Sequence, residues 1–359
     1  MNQTEEVLLK NLLTKHYLKY PLSETIDFLK LIYQNEFGAE HMAPDEPDSY
    51  KIITDELDKI PLAPNDNDYY DNIGNGYSRL FLRTIQEESL TTITLNRFFI
   101  YTAAHSKGNT KGFEEKVDVF YRMCLSETLP YPLEEIKFEL EKIRKSGYMA
   151  VSHSKRYKEA YTPAYRVVRN EFCRFLPLFF RIDEMLKENE NIIIAIDGNS
   201  CSGKSTLADL VSAIYSCNVF HTDDFFLRPI QRTKERLSEP GGNVDYERFF
   251  KEITNILRTG DPVTYSPYNC EKEELSKPIS VSPRLIEIVE GVYSMHPLLD
   301  SVYTLRVFLS IDEELQKQRL RERNPELYDR FISEWIPMEN KYFGFFGIKD
   351  KCDLVFHID

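Results

Sequence analysis

The chain has 359 residues, of which 42% are apolar and 29% charged, and a formal net charge of −13. That length accommodates two domains, and that charge argues against a nucleic-acid-binding surface, which needs a concentrated basic patch. Anionic nucleotides stay open as ligands, because a phosphate loop is a local positive site even in a negative protein.

Cys124, Cys173, Cys201, Cys217, Cys270 and Cys352 are scattered without C-x-x-C spacing. This fits free thiols in a reducing compartment and no zinc site. The start, MNQTEEVLLKNLL, lacks a basic leader region, and no apolar run reaches the ~18 residues of a membrane span. A cytoplasmic protein without nucleic-acid or membrane partners is expected. A homo-oligomer remains open.

Residues 1–188 read as a separate, mostly α-helical domain, regulatory or substrate-closing in role. Helical periodicity covers residues 5–17, 23–34, 49–59, 92–105, 111–124, 132–146 and 163–189, the last with room for a kink. Pro61 to Pro64 and the polar run behind them mark a loop. Three stretches are polar and aromatic in a way surface helices rarely are: residues 36–41, residues 72–79, and His153 to Tyr157 with Tyr161, Tyr165 and Arg166. They read either as a ligand pocket or inter-domain contact built by loops, or as caps, turn glycines and half-buried tyrosines. His41, His105 and His153 lack metal-ligand spacing. The charged end RIDEMLKENE, residues 181–190, places the domain boundary near residue 188.

Residues 189–359 follow a different grammar. Residues 191–206 read NIIIAIDGNSCSGKST. A β-branched run typical of a strand buried on both faces leads into Gly198, Asn199, Ser200, Cys201, Ser202, Gly203, Lys204 and Ser205, the G-x-x-x-x-G-K-[ST] pattern. Thr206 and an amphipathic helix follow. The glycines let successive N–H groups turn inward around a phosphate. Lys204 brings a mobile positive charge, the Ser205 hydroxyl is suited to Mg²⁺, and the helix N-terminus adds partial positive charge. Further strands are expected at 217–222, 284–289, 303–310 and 353–358. Helices are expected at 246–258, 313–323 and 325–343, and a short hairpin within 263–281. This alternation implies a five-stranded parallel sheet flanked by helices, with ligand at the carboxyl ends of the strands.

Acidic residues stand at those ends. Asp223 and Asp224 follow the second strand, and Glu290 closes the third. Phosphoryl transfer needs Mg²⁺ to bridge oxygens and a carboxylate near the acceptor hydroxyl. Asp223 is the candidate proton acceptor, and Glu290 the candidate to hold the Mg²⁺ water shell or assist the base; the alternative for the adjacent Asp pair is a turn or helix cap. Arg319 and Arg323, at i and i+4, could clamp the transferred group, or they form a solvated helix face. Arg321 points elsewhere.

These residues resemble the uridine kinase-like branch of the P-loop kinases, over residues 191–359. The resemblance rests on the phosphate loop, on Asp223-Asp224-Phe225-Phe226, on Glu290-Gly291, on Asn243-Val244-Asp245 and on the arginine-bearing helix. It implies an α/β P-loop kinase domain that uses ATP and Mg²⁺ to phosphorylate a small-molecule hydroxyl acceptor of nucleoside-like kind. It also implies Asp223 as general base, Lys204 and Ser205 as phosphate and Mg²⁺ residues, and Arg319 and Arg323 as lid arginines. Asp224, Phe225, Asp245 and Tyr268 become the acceptor-side candidates, Asp245 toward ribose hydroxyls and Tyr268 toward a base. Two departures leave the acceptor open. Val244 replaces an aromatic residue, and residues 270–274 lack the His that uridine kinases use near the base. A kinase of a sugar or vitamin alcohol, and an ATP-operated switch whose helical domain binds a protein partner, are the competing readings.

Overall fold

The computed structural model describes residues 1–40, 45–60, 68–188 and 191–359. The chain divides into two compact units, Met1–Asp183 and Glu184–Asp359. The division falls inside one helix, Leu176–Lys187, a few residues before the expected boundary. His41 and the loop expected at residues 61–64 lie outside the described residues.

In the first unit the helices Gln3–Lys19, Thr25–Phe37, Thr92–His105, Thr110–Leu125 and Leu133–Lys145 enclose a core around Phe28, Ile32, Phe113 and Phe120. Their starts are fixed locally. Asn2, Thr91 and Asn109 each accept a hydrogen bond from the backbone N–H three residues on, satisfying donors that a helix leaves free. Phe28 and Phe120 stack at 5.1 Å, which joins two of these helices.

This unit also contains a sheet that helical periodicity does not announce. Strands β1 (Tyr70–Gly74), β2 (Tyr77–Phe81) and β3 (Tyr165–Arg169) pair antiparallel in the order β1-β2-β3. The turn is made by Gly74, Asn75 and Gly76, all at positive φ (76°, 52° and 79°), which Gly and Asn tolerate. The helix expected over 163–189 is therefore wrong at its start. Residues 165–169 form a strand, and the helices Asn170–Arg174 and Leu176–Lys187 follow it.

The second unit is built on a parallel sheet. Its strands are β4 (Ile192–Gly198), β5 (Cys217–His221), β10 (Ile286–Glu290), β11 (Leu305–Ile311) and β12 (Leu354–Ile358), in the order β12-β11-β4-β10-β5. Between β5 and β10 lie two small antiparallel ladders. β6 (Val263–Tyr265) pairs with β9 (Ile279–Val281), and β7 (Tyr268–Asn269) pairs with β8 (Glu274–Leu275). Every residue of β4 and β10 is buried, as expected for central strands covered on both faces. In register, Glu290 pairs with Ile196 on one side and His221 on the other, so β5 and β10 end level while β4 runs two residues further, to Gly198. The sequence order reverses about β4, and that switch point is where α/β sheets bind ligands.

The helix expected over 325–343 is broken. It runs as short turns to Arg330, a wide turn over Phe331–Trp335, and a regular helix over Ile336–Phe346. Pro337 has no N–H to offer the preceding turn, and that turn widens where the bond is lost. A similar wide turn, Phe250–Thr254, interrupts the helix expected over 246–258.

Candidate active site

The phosphate loop hangs between β4 and the helix Lys204–Ile214. Its backbone turns at Gly198, Cys201 and Gly203, with φ of 141°, 61° and 95°. A Cβ on Gly198 would lie 2.1 Å from the Leu309 carbonyl oxygen, so only glycine fits against β11 there. The neighbouring Asn199 N–H donates to that carbonyl at 3.1 Å. Lys204 is 8% exposed, and its ammonium donates to the loop's own carbonyls, Gly198 at 3.0 Å and Asn199 at 2.9 Å.

Two buried carboxylates hold the loop from below. Asp197, next to last in β4, accepts from the N–H groups of Gly198 (2.7 Å), Tyr293 (3.3 Å) and Met295 (3.1 Å) and from the Tyr342 hydroxyl (2.9 Å). Burial pushes its pKa up to about 6, although these donors oppose the shift. Glu339, 4% exposed on the helix Ile336–Phe346, accepts from the Ser200 N–H at 3.0 Å and from the Ser200 hydroxyl. Burial likewise raises its pKa.

A cavity of about 1040 Å³ opens over the loop. Lys204, Ser205, Thr206, Asp223 and Glu290 line it together, with Ser200, Cys201 and Gly203 of the loop. Ser205 Oγ donates to Glu290 Oε1 at 3.0 Å, and the same oxygen lies 2.5 Å from His221 Nδ1. Asp223 is exposed to the cavity yet walled by protein. Loss of solvation, reinforced by the nearby Glu290 charge, raises its pKa.

The structure separates the other candidates. Arg323 lines the cavity, whereas Arg319 supports the loop from outside it, donating to the Cys201 carbonyl at 3.0 Å. Asp224 is turned away, accepting from the Tyr265 hydroxyl at 3.3 Å. Phe225 is fully buried, stacked on Tyr265 at 5.5 Å with the Arg248 guanidinium 4.0 Å from its ring centre. Its neighbour Phe226 lines the cavity instead. Asp245 is buried as a helix cap. It accepts from the Arg248 N–H at 3.1 Å and from the Gln231 amide at 2.7 Å, which uses both its oxygens. Tyr268 is buried, its hydroxyl held by Arg232 at 2.9 Å. None of Asp224, Phe225, Asp245, Tyr268 or Arg319 lines the cavity.

Other residues at the cavity escaped the motif reading. Tyr293 adopts φ of 75°, unusual for an aromatic residue, where it lines the cavity. Arg330 and Trp335 form part of the cavity wall, the guanidinium 4.8 Å from the indole centre. Glu339 had a sequence signal, a lone acid in the apolar run IPMENKYFGFF.

Among the described residues no group of three or more His, Cys, Asp or Glu side chains could hold a metal alone. Mg²⁺ seldom uses such a cage, taking one or two protein oxygens and completing its shell with phosphates and water. The Ser205 hydroxyl beside the Glu290 carboxylate fits that pattern.

The strand order, the glycine-turned loop and the helix behind it define the second unit as a P-loop kinase fold. No protein-family model matches the chain, and comparison with curated proteins gives no match. Among solved structures it is similar to a possible uridine kinase from Bacillus stearothermophilus, at 22% identity over 50% of this chain and 99% of that one, with TM-score 0.37. A shikimate kinase from Bacteroides thetaiotaomicron shares 14% identity over 46% of this chain and 86% of that one, with TM-score 0.26. A deoxyadenosine kinase from M. mycoides shares 14% over 47% and 90%, with TM-score 0.21. Among the described residues no helix is long and apolar enough to cross a membrane.

Proposed function

We propose that the chain is an ATP- and Mg²⁺-dependent phosphotransferase that phosphorylates a hydroxyl of a small, nucleoside-like molecule. One observation carries the reading. A carboxylate with a raised pKa, Asp223, shares a cavity with Lys204, Ser205 and Glu290 at the carboxyl end of the sheet.

In this reading the loop N–H groups and the Lys204 ammonium hold the nucleotide phosphates, and Arg323 and Arg330 balance their charge from the far wall. Ser205 and Glu290 are the residues that would hold Mg²⁺, which when bound neutralises charge on the phosphate oxygens. Asp223 accepts the proton of the attacking hydroxyl, and positioning supplies most of the remaining rate enhancement. The acceptor lies toward Phe226, Leu227 and Asn243, which offer apolar surface and an amide.

The test is ADP release from Mg-ATP across nucleosides, sugars and vitamin alcohols, run beside Asp223→Asn. Strong stimulation by one acceptor, lost in the variant, is expected. Slow hydrolysis indifferent to every acceptor would overturn the reading.

A further inference from the structure

The first unit holds a cavity of its own, of about 540 Å³, walled by separate segments of chain. Lys30 and Gln34 reach it from the helix Thr25–Phe37, Glu56 from the helix Glu46–Leu57, and Tyr165 and Arg166 from β3. His153 completes the polar wall.

That wall is fixed in place. Asp27 Oδ1 lies 2.7 Å from His153 Nδ1, and His153 Nε2 lies 2.6 Å from the Tyr165 hydroxyl oxygen. The carboxylate claims the Nδ1 proton, so Nε2 accepts from the Tyr165 hydroxyl. Asp27 also accepts from the Ser154 N–H at 3.0 Å and its hydroxyl at 2.7 Å, which pins the segment that carries His153. Burial pushes the His153 pKa down to about 4, so the imidazole is neutral near pH 7.

Charge at the cavity is unbalanced. Among the described residues that line it, Lys30, Lys158 and Arg166 face one carboxylate, Glu56, with the Asp27 carboxylate set behind His153, in a chain whose net charge is −13. Glu56 is already engaged, accepting from Arg166 at 2.8 Å. Half-buried Lys30 donates to the Val151 carbonyl at 2.7 Å and has no ion pair among the described residues. A cation withdrawn from water without a counter-ion costs stability that an incoming anion restores. Ile52, Phe99, Pro163 and Val167 make an apolar part of the wall, and Ser49, Ser152 and Thr162 complete it.

We propose that this cavity binds a small molecule with an oxyanion head, carboxylate or phosphate, on an apolar body. The head engages Lys30 and Arg166, and the body lies against Phe99 and Val167. The site is independent of the phosphotransferase reading, because all its residues belong to the first unit.

The test uses the full-length chain carrying Lys204→Ala, which disarms the phosphate loop. It is titrated calorimetrically with phenyl phosphate, benzoate and neutral benzamide at constant ionic strength. At least one anionic probe should bind about tenfold or more tighter than benzamide, the worth of one charge-assisted hydrogen bond. Phenyl phosphate ahead of benzoate marks a phosphate ligand, and the reverse order marks a carboxylate. Lys30→Gln should weaken binding about tenfold. Glu56→Gln, which releases Arg166, should tighten it. Should Lys30→Gln fail to fold, exposed Lys158→Gln serves in its place and should weaken binding. Anionic probes no better than benzamide, or affinity unmoved by these substitutions, would overturn the proposal.

Discussion

Glu339 accepts two hydrogen bonds from Ser200, from its N–H at 3.0 Å and from its hydroxyl, at the crest of the phosphate loop. A buried carboxylate so close to a phosphate site both shapes the loop and repels what the loop binds. Glu339→Gln keeps an acceptor for the N–H and removes the charge, so it should bind Mg-ATP several-fold tighter, about 1 kcal/mol. Glu339→Ala should lower stability by about 1–3 kcal/mol, because the Ser200 N–H loses its partner. Calorimetric titration and urea unfolding check the pair. Weaker binding in Glu339→Gln would assign the carboxylate a supporting role at the phosphates.

Asp223→Asn should lower turnover by about 10²- to 10⁴-fold, the usual worth of a positioned general base. Affinity for Mg-ATP should stay within about threefold. On the proposed reading, activity requires the ionised carboxylate. Because its pKa is raised, the acid limb of kcat/KM should lie above the ordinary aspartate range, with activity lost as pH falls through it. A limb at the ordinary aspartate position, or loss of nucleotide binding in the variant, would remove Asp223 from the base role.

Phe225 belongs to the motif yet packs in the core between Tyr265 and Phe249. Phe225→Ala should cost about 3–5 kcal/mol of stability through the cavity it leaves. Phe225→Leu should fold and keep the acceptor KM. A KM rise of about tenfold without loss of stability would instead put the ring against the acceptor.

The first unit should weaken in mild acid. Burial lowers the pKa of His153 to about 4, and burial lowers that of His16 as well. Between the ordinary histidine value and about 4, the unfolded chain holds more protons than the folded one, so stability falls as pH falls through this window. His153 alone accounts for up to roughly 3 kcal/mol. Hydrogen exchange across residues 1–183 between pH 7 and pH 4 measures the loss, and His153→Gln should make it shallower.

Much of the second unit was legible because its signals are local. A β-branched run, two glycines at fixed spacing and a Lys-Ser pair suffice to mark β4 and the loop, although the positive φ of Cys201 carried no signal. Strand and helix alternation then leaves few topologies. The acceptor-side candidates were not legible, because a motif gives chain position and not side-chain direction. Asp245 caps a helix, and Asp224 turns to Tyr265. In the first unit, Gly74-Asn75-Gly76 carried a hairpin signal, but β2's partner β3 lies more than eighty residues away and no local pattern links them. The third polar and aromatic stretch singled out there does line a cavity, through His153, Tyr165 and Arg166.

The Lys204 ammonium rests on two carbonyl oxygens of its own loop. Two of its three N–H donors are thus held, which leaves one for an arriving anion, and only an anion that offers more than those two dipoles would draw the other two away. Chloride or a single carboxylate offers little, whereas a polyphosphate brings several charges to the same donors. The resting bonds of this one side chain thus favour a ligand with several charges over the common small anions of solution.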